Sequence, residues 1–151
     1  MAGKGKKEIV EPKFARTKEY RNVLGIFKKA GNCPFCKDAF KTLKKPVLKK
    51  EKGWFATINN WPYKNAKYHF LIISEKHNEN IDDFKKSDFE SVFKLIKWLV
   101  KKYKIKGGGV ALRFGETACS GSTVRHSHFH LISPRAKRGT KDSKTVIFSI
   151  G

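Results

Sequence analysis

The sequence predicts an α+β fold with an antiparallel β-sheet of about five strands, one long amphipathic helix and a short N-terminal helix. Residues 69–74 form a near-continuous apolar run of strand length, which is typical of a strand buried on both faces. Apolar side chains recur at steps of three and four from Phe89 to Tyr103, which is the period of an amphipathic helix. The predicted strands are largely grouped around this one helix, and that arrangement favours an antiparallel sheet.

The remaining elements follow from local patterns along the chain. Residues 19–29 place four apolar side chains on one face, which predicts the short helix. The long helix follows a Ser-x-x-Glu capping box at residues 87–90 and ends at the glycines 107–109. Strands are predicted at residues 54–59, 69–74, 110–114 and 127–132, with an edge strand at 144–150.

Length and composition are those of a single domain with its own core. The 151 residues include 12 Phe, 4 Tyr and 3 Trp, which excludes a wholly disordered chain. Residues 1–18 are rich in Lys, Glu and Gly and predict a flexible basic arm before one domain at 19–151. No apolar run approaches a membrane span, no secretory signal pattern is found, and three cysteines cannot form a disulfide framework. We therefore expect a cytoplasmic protein without a membrane partner.

The charge of the chain is strongly positive. Lys and Arg number 34 against 13 acidic residues, which gives a formal net charge of +21. A surface this basic attracts polyanions such as nucleic acid. A lysine-rich proteome that places Lys at solvated positions would give the same charge without such a partner, so both explanations stay open.

The histidines are concentrated in one short segment. Of the five, His126, His128 and His130 alternate with other residues, and on a strand alternate side chains share a face. All three imidazoles would then line one side, while Phe129 and Leu131 point into the core. Three neighbouring imidazoles repel when protonated, so some must stay neutral, as ligands or nucleophiles do. The alternative is a surface tract that binds metal adventitiously.

The His-x-His-x-His run followed by two apolar residues resembles the signature of the histidine-triad (HIT) nucleotide hydrolases and transferases. Two further segments carry the resemblance: an Asn-x-x-Pro turn at 59–62 leading into the strand 69–77, and a glycine loop at 121–124. Together they cover roughly residues 33–134. The resemblance implies a HIT-like fold, a nucleotide substrate and a homodimer.

The resemblance also implies catalytic roles for three residues. His128 matches the histidine that attacks the α-phosphorus of a nucleotide and forms a covalent nucleotidyl-histidine. An imidazole suits this task because its reference pKa of about 6.5 leaves it largely neutral near pH 7. His130 matches the residue that positions and neutralises the phosphate oxygens, and Thr123 matches a hydroxyl that contacts the phosphate or the leaving group.

Further matched positions imply substrate binding. Asn59 matches the residue that holds the ribose hydroxyls, and backbone N–H groups around Gly121 and Ser122 could form an anion-binding concavity. Ser122 replaces a glutamine that is common in this loop. His69 matches a histidine that supports the triad, with a hydrogen-bonded core histidine as the equal alternative.

The Cys33-Pro-Phe-Cys36 segment predicts a structural zinc site. A Cys-x-x-Cys turn supplies two thiolates to a tetrahedral ion, and two more ligands are needed. The resemblance implies that His77 and His126 complete the site. A thioredoxin-like redox role would need a βαβ context that this chain lacks, and a nucleic-acid-binding zinc finger does not fit the spacing.

These observations predict a nucleotide hydrolase that cleaves a dinucleoside polyphosphate or a nucleoside phosphoramidate at the α-phosphate. Histidine at the third triad position favours hydrolysis over transfer to a sugar phosphate. Two alternatives remain. One is aprataxin-like removal of adenylate from nucleic-acid ends, and the other is a non-catalytic basic module that binds nucleotides or RNA.

Overall fold

The computed structural model describes residues 8–137 and 142–151. Within these residues, five strands form one antiparallel sheet in the order β1-β2-β3-β5-β4. The strands are β1 (Lys49–Glu51), β2 (Trp54–Ile58), β3 (Ala66–Ser74), β4 (Gly109–Leu112) and β5 (His128–Pro134). The helices are α1 (Lys18–Ala30), α2 (Lys37–Thr42), α3 (Lys86–Lys102) and α4 (Thr117–Ser120). The α+β prediction is confirmed, including the short N-terminal helix and the long amphipathic one.

One face of the sheet packs against α3. The apolar stripe of the helix, with Leu95 and Leu99 fully buried, covers the alternate positions of β2, β3 and β5 that point to this side. The strand residues in this layer are Trp54, Ala56, Phe70, Ile72, Phe129 and Leu131. Phe129 and Leu131 therefore point into the core as predicted, and this leaves His128 and His130 on the opposite face.

The opposite face carries a second core layer. It packs beneath α1 and the cysteine turn and includes Leu24, Phe35, Phe40, Phe55, Leu71 and Ile73. This layer does not cover the whole sheet, because the rings of the β5 histidines take the place of aliphatic side chains at its centre. A cavity, described below, lies beside these histidine rings.

The first described residues differ from the flexible arm predicted for 1–18. Residues 1–7 lie outside the described part, but Val10 is buried and forms a β-bridge with Val124. The backbone N–H of Glu11 donates to the carbonyl of Thr123. Few apolar residues are present in this segment, but two of them, Val10 and Ala15, lie in the core, and packing therefore begins before residue 19.

The long helix begins two residues earlier than the capping box predicts, at Lys86 instead of Asp88. Lys85 is the residue before the helix, and its backbone N–H donates to the Asp88 carboxylate at 2.7 Å. Asp88 also accepts from the indole N–H of Trp54 at 2.9 Å. The Ser-x-x-Glu pattern at 87–90 is therefore not the cap. The Asp88 carboxylate, which also accepts from Trp54 on β2, accepts the hydrogen bond at the start of the helix instead.

At the sheet edges, one strand was predicted wrongly and another was missed. Residues 144–150 form no strand, since Arg113 and aromatic contacts hold this segment across the site described below. The fifth strand is instead β1, three charged residues that give no apolar signal and pair with β2 through the turn at Lys52 and Gly53.

Gly108 lies where the chain passes closest to β5. A Cβ at this position would lie 2.2 Å from the carbonyl oxygen of Ile132, so only glycine fits without moving backbone. Helix α3 ends at Lys102, five residues before Gly107. The glycines 107–109 thus serve the approach of β4 to the sheet rather than the end of the helix.

No helix in the described ranges is long and apolar enough to cross a bilayer.

We predict that Leu95→Ala lowers the free energy of unfolding by about 2–5 kcal/mol, because it leaves a cavity between α3 and the sheet. Phe93→Ala, on the same helix but at a side chain that is 61% exposed, is the control and should cost less than about 1 kcal/mol. Urea titration monitored by circular dichroism measures both. Equal losses in the two variants would contradict the layer assignment.

Candidate active site and metal cluster

The pairing of β3 with β5 sets the positions of the central histidines. His128 lies opposite Ile73, and His130 lies opposite Leu71, both on the face away from α3. His126 precedes the strand by two residues and turns its ring towards the cysteines. The prediction that all three imidazoles line one side therefore holds for His128 and His130, which face a cavity, while His126 belongs to the separate cluster of predicted metal ligands.

A chain of hydrogen bonds determines the tautomers of two buried histidines. The backbone N–H of Tyr63 donates to Nδ1 of His69 at 3.1 Å, so the ring proton of His69 is on Nε2. That Nε2 lies 2.8 Å from Nδ1 of His130, which must then accept. The ring proton of His130 is therefore on Nε2, a buried atom that has no hydrogen-bond partner among the described residues. The site thus holds one unused N–H donor, which could bind an anionic oxygen.

His128 has the opposite tautomer. Its Nδ1 lies 2.7 Å from the backbone carbonyl of His126, and a carbonyl can only accept, so Nδ1 carries the proton. The lone pair is then on Nε2. His128 lines the cavity, so this ring offers a fixed nucleophilic nitrogen beside the unused donor of His130.

Burial keeps these imidazoles neutral. It lowers the pKa of His128 to about 4 and the pKa of His69 to about 3, and it holds the pKa of His130 well below its usual range. The neighbouring rings and nearby cations add to the effect, since each would repel a new positive charge. A cavity with neutral histidines can offer lone pairs and N–H donors at neutral pH.

The cavity beside these rings has a volume of about 120 Å³. It brings together most of the predicted catalytic and substrate-binding residues, namely Asn59, Gly121, Ser122, Thr123, His128 and His130. His69 is not on the wall and lies behind His130. His69 is therefore a buried, hydrogen-bonded histidine, and its hydrogen bond also supports His130. This position is compatible with both alternatives that the sequence left open for His69.

The loop residues have their own contacts. The Thr123 hydroxyl lies 2.9 Å from the hydroxyl of Tyr20, a buried phenol. Ser122 donates from its side chain to the Val124 carbonyl, and its backbone N–H donates to the Ser120 hydroxyl at 3.2 Å, so both of its donors are already used within the loop. Asn59 accepts from the backbone N–H of Trp61 with its side-chain oxygen, which holds the amide group at the cavity wall.

Three cations at the cavity were not singled out from the sequence. Arg16, Lys45 and Arg113 line it, and no acidic residue does. Lys45 is only 9% exposed and Arg113 only 8%. Among 34 basic residues neither has a local pattern that marks it. Trp61, which stacks on Tyr20 at a centroid distance of 4.4 Å, was also missed as a wall residue.

The segment predicted as an edge strand covers one side of the cavity. Arg113 donates to the backbone carbonyl of Ser149, and Arg16 donates to the Ser149 hydroxyl at 2.7 Å. The Phe148 ring lies 5.1 Å from His130 and 3.8 Å from the Arg113 guanidinium. Gly121 adopts φ +67°, and a Cβ there would lie 2.8 Å from the Gly151 carbonyl oxygen. This glycine therefore allows residues 148–151, here called the tail, to approach.

The second cluster contains the four predicted metal ligands. The ligand atoms of Cys33, Cys36, His77 and His126 all lie within 4.8 Å of one another. His126 Nδ1 lies 3.4 Å from Cys33 Sγ, 3.7 Å from Cys36 Sγ and 3.2 Å from His77 Nδ1. A tetrahedral ion with ~2.3 Å bonds to sulfur and ~2.1 Å bonds to nitrogen separates neighbouring ligand atoms by about 3.4–3.8 Å. The cluster therefore has the size to hold one metal ion.

The outer contacts of the cluster favour metal binding. His126 Nε2 lies 2.6 Å from the Ser74 carbonyl and must donate, which leaves Nδ1 as a lone pair facing the cysteines. His77 Nε2 contacts the Glu79 carboxylate at 3.1 Å and is oriented in the same way. Burial raises the pKa of the Cys33 thiol to about 12, so its thiolate needs a nearby cation.

Fold and site together define a protein that can bind an anionic substrate beside a fixed imidazole and hold a metal ion nearby. The family model for the HIT domain matches residues 41–137, more than half of the chain. The chain belongs to the HIT domain family. The match includes His77 and the triad but begins after the cysteine pair.

Solved structures show the same fold over nearly their full length. A HIT family hydrolase from Clostridium thermocellum is 27% identical, with a TM-score of 0.55, and the match covers 73% of this chain and 96% of that one. A HIT family hydrolase from Legionella pneumophila is also 27% identical, with a TM-score of 0.52 and coverage of 70% and 95%. A histidine triad nucleotide-binding protein from Candida albicans, 20% identical over 75% and 87% with a TM-score of 0.57, shares the fold.

Proposed function

We propose that the protein is a nucleotide hydrolase that acts on an α-phosphate through a covalent nucleotidyl-histidine at His128. The observation that carries the proposal is the hydrogen bond from His128 Nδ1 to the His126 carbonyl at 2.7 Å. It leaves the Nε2 lone pair free on a residue of the cavity wall. A neutral imidazole in a fixed tautomer is the form of histidine that attacks phosphorus.

In the first step, His128 Nε2 attacks the α-phosphorus. The P–N bond forms while the bond from phosphorus to the leaving group breaks, and the leaving group takes the electron pair. The positive charge that develops on the ring is stabilised by the Nδ1–H bond to the His126 carbonyl. The unused Nε2–H of His130 donates to a phosphate oxygen, and Arg113 adds positive charge nearby.

In the second step, water attacks the same phosphorus. The new P–O bond forms, the P–N bond breaks, and the electron pair returns to His128 Nε2, while the proton of the water passes to solvent. In this proposal Thr123, whose hydroxyl contacts Tyr20, contacts the phosphate or the leaving group, and Asn59, which lines the cavity, contacts the ribose. The product is a nucleoside monophosphate.

We further propose that the ion in the second cluster is zinc. Two thiolates and two imidazoles are a set that Zn²⁺ binds in closed tetrahedral sites, where it stabilises structure. Cys33, Cys36, His77 and His126 would hold it, and His126 would thereby anchor the carbonyl that fixes His128.

A nucleic-acid partner is a second candidate, because a larger groove of about 1080 Å³ on another part of the surface carries lysines. They are Lys67, Lys104, Lys106, Lys137 and Lys144, and within the described part of the chain no acidic residue lines the groove. The non-catalytic alternative predicts salt-sensitive RNA binding that survives the loss of His128. The homodimer stays a prediction.

We predict that His128→Ala lowers turnover of dinucleoside polyphosphates and nucleoside phosphoramidates by about 10³-fold or more, since it removes the nucleophile. Nucleotide binding and the melting temperature should change little. Mass spectrometry of acid-quenched reactions should find a nucleotidyl adduct on the wild type and none on the variant. Unchanged turnover would remove His128 from the mechanism.

We predict that His69→Phe lowers kcat/KM about tenfold or more, because it removes the donor that fixes the His130 tautomer. Phe keeps an aromatic ring in the buried site. Steady-state kinetics and a melting curve together test this. A variant that melts like the wild type and retains full kcat/KM would show that His69 only fills space.

We predict that Cys33→Ser loses one equivalent of bound zinc and lowers the melting temperature by about 10 °C or more. Cys119→Ser is the matched control, since Cys119 is exposed and lies outside the cluster. Metal analysis by mass spectrometry and thermal unfolding with and without a chelator measure both effects. Equal zinc content in the two variants would contradict the assignment.

A further inference from the structure

The cavity wall contains a buried cation whose charge the protein does not balance. Lys45 is 9% exposed, and it is the one lysine that is buried within the described ranges. None of the ion pairs between described residues includes it, and its ammonium group lies instead over the rings of Trp61, at 5.1 Å, and Phe35, at 6.0 Å. A desolvated charge is unfavourable unless an opposite charge compensates it.

A second buried cation faces the same cavity. Arg113 is 8% exposed and donates to the carbonyls of Ser120 and Ser149 and to the Tyr63 hydroxyl, all of which are neutral acceptors. Its guanidinium therefore keeps a full positive charge as well. Since no acidic side chain among the described residues lines the cavity, both charges remain for a ligand to balance.

The number of charges bears on the class of substrate. A phosphate group under attack by His128 carries one negative charge when it is esterified on one side and bonded to a leaving group on the other. One cation with the His130 donor suffices for such a group. The second cation has no role with a nucleoside phosphoramidate, but it matches a further phosphate in a polyphosphate chain.

We propose that Lys45 binds a second phosphate group of the substrate and makes the site selective for nucleoside polyphosphates. This inference rests on the proposed nucleotide hydrolase function and narrows it. Burial also lowers the pKa of Lys45 to about 8, which still leaves most of the amine charged at pH 7. A purely structural role would be packing against the two aromatic rings, and methionine would preserve that packing.

The test compares the binding of two probes by calorimetry at pH 7 and fixed salt concentration. AMP has one phosphate group, and α,β-methylene-ATP has three joined through a bond that attack at the α-phosphorus cannot cleave. We expect Lys45→Met to weaken binding of α,β-methylene-ATP about tenfold or more and of AMP less than about threefold. Lys44→Met is the matched control, because it removes the same charge from an exposed neighbour and should change neither affinity more than about twofold.

Two results would overturn the proposal: equal weakening of both probes by Lys45→Met, or no weakening of either. A melting curve first establishes that the variant is folded, and Lys45→Gln replaces it if it is not. The measurement needs no turnover, so it decides the role of Lys45 even if His128→Ala proves the hydrolase mechanism wrong. If the wild type binds neither probe, both the selectivity and the nucleotide site are refuted.

Discussion

The register between β3 and β5 is the constraint on which the rest of the site depends. It places His69 beside His130 across the ladder and carries His128 to the end of β3, where Ser74 then meets both Ser127 and His126. A slip of one residue would turn every β5 side chain to the other face. The histidines would then meet α3, and Phe129 would face the cavity. The apolar layer beneath α3 therefore holds the geometry of the candidate site in place.

The same strand joins the cavity to the metal cluster. His126 contributes its ring to the cysteines and its carbonyl to His128. An ion held by the cluster would thus fix the backbone that orients the proposed nucleophile, at a distance from the substrate. The proposed function requires neutral imidazoles in both places, as ligands in one and as a nucleophile and donor in the other. Burial and backbone hydrogen bonds provide that state.

The positive charges of this protein fall into two groups, exposed charges and buried charges. The net charge of +21 is spread over an exposed, lysine-rich surface, and exposed charges are screened by salt. Lys45 and Arg113 are different because the protein removes them from water and gives them no acidic partner. The tail residues Phe148 and Ser149 contact Arg113 on one side of the cavity. Selectivity should therefore arise from these few buried charges.

The sequence by itself determined the elements with strong periodicity and the motif residues. The apolar runs predicted β3 and α3, the alternating histidines predicted a functional strand, and the cysteine spacing predicted a metal site, because each of these signals is local. Only the tertiary structure decided that the His126 carbonyl accepts from His128 Nδ1 while the Ser74 carbonyl accepts from the His126 ring, since this depends on where β3 ends. It also decided that the tail covers the cavity instead of joining the sheet, and that Lys45 is the buried lysine. Burial and contacts between distant segments depend on packing, which no local pattern of residues encodes.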